Sequence, residues 1–434
     1  MKLSQLLGLL QVPGAVPTSR FASDLALIAS VSPGLAAAPL PSTDAAGLAE
    51  AYASYRPRPV TAVVLTQDEE ERIARCLTAL AEDTDRCLLI DSGSADATVE
   101  RALRARADAR IRSAPWADDF SRQRNLAFDE VDEGWLWYVD ADEVLAPEHS
   151  GRLRRALSVL DFLLGTRDFV VSPVIADQGG PAYTNTQRVL RADGPLRFRG
   201  RVHEHPYDAE GRAPERVQVD VRLDHTGYLP EVIERRGKRQ LYVRLDQLAR
   251  AEEPDNPKWV YYEVRDGLDR RTASETELRS AFRRLAEAAG DVVPPGPPGY
   301  RTERIVDSWS LLCELALRLG ETDALLTYTA LLSAAGRTVE ATYYRTLFES
   351  SRLLGRLSTL VDTIASVEAD EQLADRHLMG RLFELQATLA LAGGRYEAVL
   401  PAYRKAVARS AGHGVKEDFT QLARVLAEAP DATS

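Results

Sequence analysis

From Val60 to Val139, short apolar runs alternate with helical patterns, and this alternation constrains the fold more than any other feature of the chain. Ala62–Leu65 reads as a buried strand, followed by a helix over Glu69–Ala81. Cys87–Ile90 is a second strand, with a helix over Ala97–Ala107. Ala109–Arg112 is a short third strand, Ser121–Glu130 a helix and Trp135–Val139 a fourth strand. Strands separated by helices of this length imply βαβ units, and hence a mostly parallel sheet covered on both faces.

Three acidic clusters follow these strands. Thr66-Gln67-Asp68-Glu69-Glu70 follows the first, Asp91-Ser92-Gly93-Ser94-Ala95-Asp96-Ala97-Thr98 the second, and Tyr138-Val139-Asp140-Ala141-Asp142-Glu143 the fourth. Ligands of open α/β sheets bind outside the carboxyl ends of the strands. An acidic residue there can hydrogen-bond a ribose or a base edge, and Asp91 is placed to do so. Two aspartates one residue apart can face a divalent cation that also holds a diphosphate, and hard oxygen ligands suit Mg²⁺ or Mn²⁺. Alone, Asp-x-Asp is usually solvated surface and Asp-Ser-Gly-Ser a turn. Three such clusters, each after its own strand, are poorly explained by chance.

The flanking regions differ in texture. Residues 1–58 are rich in Ala, Pro and Ser and read as an N-terminal extension of unassigned role; the α/β part spans 59–240 and a helical part 241–434. Phe169–Val174 and Val217–Leu223 read as strands separated by a polar, Arg-rich loop from Gln187 to Pro206. Helical patterns run from Arg235 onward, broken at Val292–Gly299. Gly320, Gly355 and Gly394 recur 35 and 39 residues apart, each beside apolar helical patterns. A helix, a Gly turn and a second helix at that spacing resemble tetratricopeptide-like pairs; an irregular helical bundle is the other reading.

Composition removes several classes. Among 434 residues, 54 Lys and Arg face 65 Asp and Glu, a net charge of −11 without a dense basic run. A nucleic-acid surface is therefore not expected. Three scattered cysteines, Cys76, Cys87 and Cys313, fit neither a disulfide framework nor a zinc site. No apolar run reaches the roughly 18 residues that a membrane helix needs, and the N-terminal apolar stretch is too broken for a signal peptide. A cytoplasmic location is expected.

The segments TQDEEERIARCL, LLIDSGSADAT, WADDFSRQRNLAF and WLWYVDADE together resemble the nucleotide-sugar half of family 2 glycosyltransferases, which have the GT-A fold. The resemblance continues through RGRVHEHP and LDHTGY to RGKRQLYVRLDQL. It is closest to the bacterial branch with a C-terminal tetratricopeptide-like domain, which includes lipopolysaccharide-core and bacteriocin peptide glycosyltransferases. Gln67-Asp68, Ala95, Ala97 and Gln123 depart from the usual residues, but none of these changes removes a carboxylate.

The resemblance implies inverting transfer from a nucleotide-sugar, a UDP-sugar being expected, with Mn²⁺ or Mg²⁺ as cofactor and a peptide, saccharide or natural product as acceptor. Asp142 would ligate the metal, with Asp140 bridging to the ribose or metal shell and His225 on the metal or phosphate side. Glu69, Asp91, Arg124, Asn125 and Asp140 would hold the nucleotide-sugar. Glu204 is the candidate base, with His203 positioning it or touching the diphosphate. The helical part would dimerise the enzyme or grip its acceptor. Two rivals stand beside this reading: a sugar nucleotidyltransferase, and a helical-repeat scaffold with a degenerate nucleotide-binding domain. The first would normally carry a glycine-rich phosphate loop after the first strand; the second would not need Asp140, Asp142 and Glu204.

Overall fold

The computed structural model describes residues 1–10, 19–42, 44–177, 180–225, 238–367, 376–409 and 411–428. The sequence segments Thr226-Gly227-Tyr228 and Arg236-Gly237 lie outside them. The chain divides into two compact units, 1–311 and 312–434.

The first unit is built on one sheet. Its strands are β1 (Ile28–Val31), β2 (Val60–Thr66), β3 (Arg86–Asp91), β4 (Arg110–Ser113), β5 (Trp135–Asp140), β6 (Glu143–Leu145), β7 (Phe169–Asp177), β8 (Ala182–Tyr183), β9 (Val189–Arg191) and β12 (Glu215–His225). The spatial order is β1-β12-β7-β9-β5-β2-β3-β4, with β6 beside β12 and β8 beside β7. The β5-β2-β3-β4 half is parallel throughout, as is β7 with β12. Antiparallel β9 joins the two halves. A separate ribbon pairs β10 (Arg197–Arg199) with β11 (His205–Tyr207). This is the mostly parallel architecture expected from the sequence.

The apolar runs are continuous because the sheet is covered on both faces. In β5, Trp135, Trp137 and Val139 enter one core and Leu136 and Tyr138 the other, all with no exposed surface. The first core also receives Leu3, Leu6, Phe21, Leu25 and Tyr52. The N-terminal extension is thus an integral layer of the sheet: Ile28 pairs with Val219, and the Tyr52 hydroxyl donates to Asp24 at 2.8 Å and accepts from Ser158 Oγ at 2.9 Å. Its Ala- and Pro-rich composition concealed this, since each helix contributes only a few apolar contacts.

Helices Lys238–Glu252, Pro257–Gly267 and Glu275–Ala289 also belong to the first unit. Asn256 caps the second by accepting from the Lys258 amide, and Ser274 with Glu277 forms a capping box on the third. The dividing point falls within the helix Ile305–Leu319.

Helices make up the second unit. Gly320, Gly336 and Gly394 adopt left-handed backbone with φ of 71°, 81° and 72° and end helices there, as C-terminal glycines do. Gly355 corrects the reading of a Gly turn at each of the three glycines. It lies inside the 28-residue helix Thr338–Ala365 and has no positive φ, so it makes no turn. The helix runs through it without a break, and an interior glycine costs only about 1 kcal/mol.

Candidate active site

Strand register brings the three acidic clusters to one edge. Thr66 lies opposite Asp91, and Leu65 opposite Asp140. The first two loops are cross-braced. The Asp68 amide donates to Ser94 Oγ at 3.0 Å, and Asp68 Oδ1 accepts from the Ala95 amide at 2.8 Å. The Glu69 amide donates to Thr98 Oγ1 at 2.7 Å, while its carboxylate accepts from Arg72 at 2.9 Å. Asp91 is buried and accepts from Ser94 Oγ at 2.6 Å and from the Gly93 and Ser94 amides. An ionised carboxylate offers about four lone-pair sites, so Asp91 retains capacity to accept from a ligand.

At the end of β5 the chemistry becomes ionic. Asp140 receives a bidentate pair from Arg188, at 3.1 and 2.8 Å, and a third bond from Arg124 at 3.2 Å. Burial alone would raise the Asp140 carboxyl; Arg188 and then Arg124 hold it far below the usual carboxylate range. Arg124 Nε donates to Glu204 Oε1 at 2.7 Å, linking the β5 end to the loop before β11. Arg124 Nη1 is buried without a hydrogen-bond partner among the described residues. A donor in that state suits an arriving anionic oxygen.

Beside this network lies a second arrangement. His225, the last residue of β12, has Nδ1 2.8 Å from Asp177 Oδ1 and Nε2 3.4 Å from Asp142 Oδ1. β7 and β12 set this pairing, since Asp177 lies opposite His225 in parallel register. The β6–β12 pairing puts Glu143 opposite His225. Burial would lower the imidazolium, but bonds to Asp142 and Asp177, with nearby Glu143, raise it to about 9. Glu143 is pushed up to about 7: burial leads, Arg188 opposes it, and Asp140 and Asp142 add repulsion.

This geometry fits a divalent cation. An imidazole whose Nδ1 is held by a carboxylate presents Nε2 as ligand, the orienting arrangement found around many metal sites. The Asp142–His225 separation suits two ligands of one ion with bonds of about 2.0–2.2 Å. Asp140, by contrast, is clasped by Arg188 and Arg124.

The remaining predicted residues scatter in role. Asn125 spends its amide on the Phe198 backbone, accepting from N at 3.0 Å and donating to O at 2.9 Å, and so braces β10. His203 stands at φ 52° and stacks on Tyr262 with ring centroids 3.8 Å apart. Its Nε2 faces Asp266 at 3.0 Å, away from the Asp140 network. Burial lowers its pKa despite that carboxylate.

Sequence reasoning assigned no role to Arg188 and Glu143. Glu143 stood in view as the last residue of WLWYVDADE. Arg188 had no distinguishing signal among the arginines of the Gln187–Pro206 loop; only the β9 pairing selects it.

Residues 61–199 match the family described as Glycosyl transferase family 2. The SPbeta prophage-derived glycosyltransferase SunS of Bacillus subtilis is 27% identical over 317 residues, covering 72% of each chain. A TPR repeat-containing protein of Synechococcus elongatus is 28% identical over 276 residues, 61% of this chain and 63% of its own. Among solved structures, TarS of S. aureus aligns over 68% of this chain and 91% of its own at 15% identity, with a TM-score of 0.33. Residues 61–199 are therefore a family 2 glycosyltransferase domain, and the chain is a glycosyltransferase.

Proposed function

We propose that the chain is a metal-dependent, inverting glycosyltransferase that moves a sugar from a UDP-sugar to a peptide, saccharide or natural-product acceptor. The observation that carries this reading is the approach of Asp142 Oδ1 and His225 Nε2 to 3.4 Å, beside the Asp140–Arg188–Arg124 network. Asp142 and His225 would hold Mn²⁺ or Mg²⁺, which supplies charge neutralisation of the diphosphate leaving group. Arg124, through its unpartnered Nη1, and Arg188 offer donors to the phosphate oxygens. Asp91 accepts from uracil N3–H or the ribose, and Glu69 and Asp140 keep the surrounding loops and arginines in place. Asn125 acts indirectly, by fixing β10.

The acceptor attacks C1 of the sugar from the face opposite the diphosphate. The acceptor–C1 bond forms as the C1–O bond to the diphosphate breaks, and the acceptor proton passes to Glu204. Glu204 sits on Arg124, in the loop preceding β11. His203 positions that loop. Catalysis lies within residues 59–240. The helical remainder, 241–434, serves acceptor gripping or self-association, in a tetratricopeptide-like manner.

Donor hydrolysis tests the reading without a known acceptor. The full chain with Mn²⁺ should release UDP slowly from UDP-glucose or UDP-N-acetylglucosamine, and EDTA should stop it. Release that persists unchanged in EDTA, or that occurs from GDP-sugars alone, contradicts it.

A further inference from the structure

A second cluster of ligand-type groups lies on the other side of the Glu204 loop. His203 Nε2 is 3.0 Å from Asp266 Oδ2 and 3.7 Å from Asp246 Oδ1, and one ligand atom from each residue lies within 4.8 Å of the others. The three residues come from separate elements: the loop before β11, the helix Lys238–Glu252 and the helix Pro257–Gly267. We propose that His203, Asp246 and Asp266 form a second divalent-cation site, of the zinc class, separate from Asp142 and His225.

Asp246 is the independent observation. It is fully buried, and neither carboxylate oxygen has a hydrogen-bond partner among the described residues. A buried carboxylate in that state requires a proton or a cation. Burial and the neighbouring Asp266 push its pKa up to about 8. Both ionised, Asp246 and Asp266 would carry two negative charges. Arg265, bonded to Asp266 at 2.6 and 2.8 Å and 3.2 Å from His203 Nε2, supplies one positive charge. A divalent ion in place of the Asp246 proton would balance both carboxylates.

Arg265 would have to leave Nε2, and it has somewhere to go. Its side chain is 35% exposed and already lies over the rings of Tyr261 and Tyr262. The histidine, by contrast, is fixed in advance. Its ring is stacked on Tyr262, and its carbonyl accepts from buried Lys258 Nζ at 3.2 Å. Lys258 is itself held by Glu303 at 2.9 Å. One imidazole and two carboxylates suit zinc, which also outcompetes manganese for such nitrogen-containing sites. The bound ion would tie the loop carrying Glu204 to two helices. That consequence depends on the role given to Glu204; the binding itself does not.

The test uses full-length, metal-stripped protein dialysed against micromolar Zn²⁺, with zinc counted per chain. Wild type should take up zinc, Asp142→Asn should retain one equivalent, and Asp246→Asn should lose it. The loss should exceed the roughly 10–100-fold weakening caused by removing a mere orienting partner. Asparagine mimics a protonated aspartate in shape, and circular dichroism checks the fold. Should that variant not fold, Co²⁺ added to Asp142→Asn must still give the visible absorption of a nitrogen- and oxygen-ligated ion. No uptake by wild type, undiminished uptake by folded Asp246→Asn, or loss of all zinc with Asp142→Asn would overturn the proposal.

Discussion

Charge at the β5 end is set residue by residue. Asp140, Glu143 and Glu204 stand against Arg124 and Arg188, so removing either arginine leaves carboxylates without a counter-charge. Breaking a buried pair is destabilising by about 3–5 kcal/mol; Asp140 is 34% exposed, which reduces this. Arg188→Ala should therefore lower Tm moderately and lose most donor affinity by calorimetry; unchanged affinity would remove Arg188 from the phosphate side. Glu204→Gln should lower kcat about 10²–10⁴-fold with donor affinity nearly constant. An unchanged kcat on a hydroxyl acceptor would exclude Glu204 as base. His205 gives a pH signature. Burial lowers it to about 4 from an ordinary value near 6.5. Between those values the unfolded chain binds a proton that the folded chain does not, so stability falls as pH falls through that window. His205→Gln should show a shallower decline in Tm from pH 7 to pH 4; equal slopes would contradict a buried neutral imidazole. Asp140, Asp142, Glu204 and His225 were legible as candidates in the sequence, because each sits in a short motif at a strand end or loop. It could not say that Asn125 turns its amide to Phe198, since that depends on how β10 packs.

At the scale of elements, the parallel core was legible because β2, β3 and β5 are buried on both faces and read as unbroken apolar runs. The predicted strand Trp135–Val139 falls one residue short of the observed β5. Two regions were opaque for physical reasons. Between Gln187 and Tyr207 lie three strands of three residues each, too short for an alternating pattern to show. Gly355 looked like a turn because Gly at a repeat spacing is the usual signal, yet nothing local forces a positive φ there. The N-terminal segment hid its packing in short helices. Leu25, 1% exposed within the first core, tests that packing. Leu25→Ala should cost about 2–5 kcal/mol in urea unfolding. A change below about 0.5 kcal/mol, as expected of a surface position, would show that residues 1–58 are a loose appendage.

The whole molecule joins a catalytic unit to a helical one, and the helical unit keeps apolar surface outside. On the helix Thr338–Ala365, Leu353, Leu354 and Leu360 are 58%, 46% and 49% exposed. If this face serves self-association, light scattering should give twice the chain mass for wild type and the single mass for Leu353→Glu/Leu354→Glu. A monomeric wild type would leave acceptor gripping as its role. The account depends most on the Asp142–His225 pair binding a cation together with a nucleoside diphosphate. Titrating UDP into the full chain by calorimetry, with Mn²⁺, with EDTA and with Asp142→Ala, measures that directly. The account predicts saturable binding with Mn²⁺, lost in EDTA and lost in Asp142→Ala at an unchanged circular dichroism spectrum. Equal affinity for UDP in all three conditions would contradict it.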